Sequence, residues 1–171
     1  MTVVAGPTTV GLMSTLPRSL ADDLRSRDDA ALAALLRLRP DLVHPVPHDL
    51  TQLAVRATTA PAVARALDAL DRWTLQVAEV LAALPDPTTR AAVAAALPGT
   101  AADEVDTALV RLEQRALLWG VDDELHLVRA ARESFGAFPC GLVPAPDAAR
   151  AVGDPDGAQS VRRLLAEAPD Q

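Results

Sequence analysis

Few residues in this chain are placed to do chemistry. His44, His48 and Asp49 in HPVPHD offer two imidazoles and a carboxylate in one short segment. A four-residue spacing would put both rings on one face of a helix, but Pro45 and Pro47 keep the segment out of a helix. A structural zinc also needs four organised ligands. The expected reading is a solvated loop whose Asp49 caps the helix that follows. Cys140, the single cysteine, stands in FPCGL with no histidine nearby. It reads as a small apolar filler rather than a nucleophile, and alone it makes no internal disulfide. A GxxxxGK[ST] phosphate loop requires lysine, and the chain has none; GxGxxG and GxSxG are missing as well. The expectation is a protein that is no enzyme and holds neither cofactor nor metal.

What remains is a set of arginines on a helix-turn-helix pattern. Asp86, Pro87 and two threonines precede TTRAAVAAAL, which Pro98 and Gly99 end. Thr100 is expected to cap AADEVDTALVRLEQRALL, where Val105, Leu109 and Leu112 repeat at helical spacing. Two helices across a short Gly-containing turn read as a helix-turn-helix. LLWGV, an acidic DDE corner and LHLVRA then alternate as a β-hairpin. Helix, helix-turn-helix and hairpin in that order predict a winged helix. Arg90, Arg111, Arg115, Arg129 and Arg132 are its candidate nucleic-acid contacts. Charge argues against duplex reading by this surface. Residues 101–116 set two arginines against four carboxylates, net −2, and residues 117–128 add three carboxylates and no arginine. Bringing such a surface to phosphates costs Coulomb energy instead of releasing counterions. Docking to protein partners, or to further domains of the same protein, is therefore expected ahead of DNA, which would be bound weakly. The alternative is a DNA-binding transcription regulator of winged-helix type.

The elements around this motif follow from composition and capping. Of 171 residues half are hydrophobic, yet aromatics make up only 2%, so alanine, leucine and valine must fill the core. That predicts a mainly α fold. Ser19 is placed to cap SLADDLRSR, and Asp28 to cap DDAALAALLRLR, which Pro40 stops. One long helical stretch is expected from Pro61 to Leu84 as a shared spine, with Asp71 as its weak point. A faint echo, offset by about 29 residues, relates LADDLRSRDDAALAALLRL to LTQLAVRATTAPAVARALDAL. Arg25, Arg27, Arg37 and Arg39 lie close in sequence to Asp22, Asp23, Asp28 and Asp29, which suggests a salt-bridged solvent face. Trp73 and Trp119 read as core anchors ahead of base-stacking platforms. The expected organisation is a flexible tail (1–17), a helical unit (18–70), a winged-helix domain (71–135) and a Pro/Gly-rich segment with a short C-terminal helix (136–171). Translation could start at Met1 or Met13. The start carries no basic residues ahead of its apolar stretch, and no run approaches the roughly 18 apolar residues of a membrane span. With a net charge of −7 and one cysteine, a cytoplasmic, membrane-free setting is expected.

SLADDLRSRDDAALAALLRLRPDL and DLTQLAVRATTAPAVARALDALDRWTLQVAEVLAALP resemble the N-terminal region of bacterial helicase-associated proteins. These are large proteins of GC-rich bacteria with a segment related to the N-terminal domain of XPB-type helicases. The resemblance runs from about Ser19 to Phe135, and LLRLRPDL and ALDALDRWTLQVAEVLAALP are its most specific pieces. It implies an N-terminal module of a DNA-repair or helicase-linked protein and transfers no catalytic residue.

Overall fold

Capping side chains and prolines cut the chain into short helices. The structure, a computed structural model, describes residues 17–121 and 123–141. The expected tail up to residue 16, the segment from residue 142 with the C-terminal helix expected there, and Asp122 of the acidic corner lie outside the described residues. The chain is mainly α. Helices α1 (Leu20–Ser26), α2 (Asp29–Leu38), α3 (Leu50–Ala57), α4 (Ala60–Asp68) and α5 (Arg72–Ala83) come first. Helices α6 (Arg90–Ala96) and α7 (Ala102–Gln114), strands β1 (Leu118–Val121) and β2 (Glu124–Leu127), and helix α8 (Arg129–Ser134) follow.

The N-caps explain most boundaries. Ser19 accepts from the Asp22 amide, Asp28 from Ala31 and Asp49 from Gln52, as their spacing predicts. The spine expected from Pro61 to Leu84 is two helices instead. Asp71 accepts from the Thr74 amide at 2.9 Å and from its hydroxyl at 2.7 Å. A carboxylate that satisfies the first-turn donors of a new helix competes with continuing the old one. Thr100 does not cap α7 either. Its amide donates to Leu97 O and keeps it in the preceding turn, while Ala101 takes the cap position without a side-chain bond. The faint sequence echo corresponds to two helix pairs, α1–α2 and α3–α4, opened by Ser19 and Asp49, with α1 packed on α3.

One apolar cluster runs from Leu20 in α1 to Ala131 in α8, with Leu24, Leu35, Val63, Val77, Leu109 and Leu118 fully buried. Arg39 lies inside it, 1% exposed, which corrects the expectation of a solvated arginine. Its Nε and Nη2 each donate to Asp41 at 3.0 Å, Nη2 also to Ala62 O at 3.0 Å, and Nη1 to Arg115 O at 3.0 Å. A buried guanidinium persists only with its donors satisfied in this way. Burial pushes the Asp41 carboxyl up, but the hydrogen bonds and charge of Arg39 outweigh it and hold the group below its ordinary value.

The hairpin is antiparallel, pairing Leu118 with Leu127 and Trp119 with His126. Alternation turns Leu118, Leu125 and Leu127 into the core and leaves Trp119 and His126 half-buried on the other face. Gly120 has φ +112°, and a Cβ there would stand 2.0 Å from the Glu124 carbonyl oxygen, so only glycine fits. A further bridge was not anticipated. Thr88 and Leu125 exchange both backbone hydrogen bonds, at 3.0 and 2.8 Å, and so tie the segment before α6 to the hairpin.

Candidate functional site

The five candidate arginines divide between two places. Three stand on or at the end of α6 and α7, and two on α8. Arg90 reaches Asp106 and Glu113, both at 3.1 Å, and so ties α6 to α7. Arg111 donates to Asp71 at 2.7 Å, and Arg115 donates to Arg111 O at 3.1 Å. Arg132 donates to Ala82 O at 2.7 Å and Leu84 O at 2.6 Å, which holds α8 against the end of α5. Arg129 pairs with Glu133 at 2.7 Å, yet its side chain is 91% exposed. That carboxylate's hydrogen bond and charge hold the guanidinium more firmly protonated.

The carboxylates that the α6 and α7 arginines meet have unequal environments. Burial raises the Glu113 pKa above its ordinary value, against the opposing charge of Arg90. Asp71 is held below its ordinary value by the Thr74 amide, then by the Thr74 hydroxyl and Arg111. Ahead of these pairs, Asp103, Glu104 and Thr107 are exposed, and one helical turn on Val110 is exposed too. Trp73 closes this surface from α5 by donating its indole N–H to Glu104 O at 3.3 Å. Together with Asp103, Thr107 and Arg111 these residues line a shallow cavity of about 290 Å³.

A second concavity lies against the hairpin. Trp119 and His126 stack with ring centroids 4.1 Å apart and planes 14° from parallel. His126 Nδ1 sits 3.3 Å from Asp86, and Arg132 stands 3.9 Å from the same carboxylate. Leu20, Leu127, Ala130, Arg18 and Arg129 complete a cleft of about 340 Å³. Trp119 packs against the core as expected of an anchor, and no local pattern pairs it with His126. The signal that could have found the pair is their opposition across the predicted turn, on the polar face of the hairpin.

His44 and His48 are both exposed, and among the described residues no three His, Cys, Asp or Glu groups are gathered to hold a metal ion. Cys140 is exposed, not packed as a filler: its amide donates to Glu79 at 2.8 Å, because the turn at Pro139–Gly141 lies over α5. Partial burial, then the Glu79 charge, pushes its thiol pKa up and away from nucleophile behaviour. Among the described residues no helix is long and apolar enough to cross a membrane.

No family model, curated protein or solved structure matches the chain significantly.

Proposed function

We propose that the chain is a non-catalytic winged-helix docking module of a helicase-associated, DNA-repair-linked protein. The order α5, Thr88 bridge, α6, α7 and hairpin supports the winged-helix reading. The link to helicases and repair rests on the resemblance of residues 19–135. One observation carries the docking role. The arginines of α6 and α7 are engaged by Asp71, Asp106, Glu113 and a helix carbonyl, while Asp103, Glu104 and Val110 face solvent. A helix that reads a major groove turns its first residues to base edges between two rows of phosphates. Here that first turn is acidic, so duplex approach is repelled and a protein segment of basic and apolar character is accommodated.

A salt-titrated binding series with duplex DNA of varied sequence tests this. Weak binding that ignores sequence is the expected result. Submicromolar, sequence-dependent binding lost in Arg111→Ala/Arg115→Ala would instead make the chain a winged-helix transcription regulator.

A further inference from the structure

We propose that the cleft on the outer face of the hairpin holds the unpaired end of a nucleic-acid strand, with one base on the Trp119–His126 pair and phosphates on Arg18 and Arg129. The two rings stack on each other and line the cleft beside the half-buried Ala130, so an incoming base would extend their stack on an outer ring face. The Trp119 indole N–H has no acceptor among the described residues, whereas that of Trp73 is bonded to Glu104 O. Arg18 is exposed and makes no ion pair among the described residues. Arg129 engages Glu133 through Nε alone and is 91% exposed, so its two terminal nitrogens face solvent. The one carboxylate lining the cleft, Asp86, is already opposed by His126 and Arg132. Glu124 stands 3.9 Å from the other nitrogen of His126, beside the hairpin turn.

Aromatic faces flanked by guanidinium groups are how single strands are held without sequence preference. A paired base is already stacked in its duplex and cannot lie on such a surface. An acidic peptide would use the arginines and leave the rings idle. The site shares no residue with the acidic surface of α7, so the two readings fail separately.

The test uses the full chain carrying Trp73→Phe, which leaves Trp119 as the sole tryptophan emitter. Titration with a short oligothymidylate should quench that emission, with a Kd on the order of 10–100 µM at low salt that weakens as salt rises. Arg18→Glu/Arg129→Glu changes exposed side chains only and should weaken binding about tenfold or more. Asp103→Ala should leave the titration unchanged, and a duplex of equal length should quench far less. The proposal is overturned if oligothymidylate leaves the emission unchanged, if the double arginine variant binds equally well, or if polyglutamate quenches as strongly. A loss in Asp103→Ala as large as in the arginine variant overturns it too.

Discussion

Two arginine–carboxylate regions use the same chemistry to opposite ends. Around Arg39 the pair is sealed, and the guanidinium spends its remaining donors on carbonyls of α4 and of the residue closing α7. On α7 the Arg111–Asp71 pair is roughly half exposed on both sides, and Arg90 spans to Asp106 and Glu113 at the surface. The first arrangement fixes how distant elements meet. The second mainly sets the charge of the exposed surface. Water access makes the difference: a buried charge must be fully matched, whereas a solvated one is screened.

The sharpest way to break this contrast is Arg39→Met, which strands Asp41 and two carbonyls. We expect a loss of about 3–5 kcal/mol in urea unfolding, and a loss below about 1 kcal/mol would mean that the buried junction is dispensable. Next comes Asp71→Ala, which removes the cap of α5 as well as the partner of Arg111; about 1 kcal/mol should be lost, with helicity falling slightly. Arg111→Ala should cost less, and a double-mutant cycle with Asp71→Ala should return a coupling of about 0.2–1 kcal/mol that shrinks with salt.

The pH dependence is the finest test. Asp41 and Asp71 both lie below the ordinary value of 3.8. Each therefore contributes stability that is complete above its unfolded pKa and is lost as pH falls through its lower folded value. Glu113 has the opposite sign: its folded pKa is raised above 4.5, so its contribution is present in acid and is lost as pH rises through that value. Asp71→Asn keeps a capping oxygen but removes the charge. Urea midpoints of this variant should fall less between about pH 5 and about pH 3 than those of the parent protein. An identical fall in both would show that the charge on Asp71 contributes nothing.

Local rules made much of the fold legible. Ser19, Asp28 and Asp49 cap the helices that their spacing announces, and alternation around the acidic corner marks the hairpin. Long-range pairing was not legible. Arg39 stands near four aspartates in sequence, which suggests a solvated ion-pair face, but its carbonyl acceptors belong to Ala62 and Arg115. Thr88 forms a single-residue bridge, too short to leave a period in the sequence. At the candidate site the arginines could be named from the motif. Their engagement by Asp71, Asp106 and Glu113 depends on how α5, α6 and α7 pack, which no local pattern encodes. The Trp119–His126 pair fell between the two cases, because register alone could reveal it.

The bond from Arg39 to Arg115 O joins positions 76 residues apart. Peeling α2 away would break this bond and expose the core that Leu35 shares with Leu109 and Leu112, so opening the early helices while the later ones stay intact is expected to be costly. Amide hydrogens near Leu35 and Leu112 should therefore exchange with solvent at similar, near-global protection. By the same linkage, restraint of the hairpin should be felt as rigidity in α2, although three helices lie between α2 and α6.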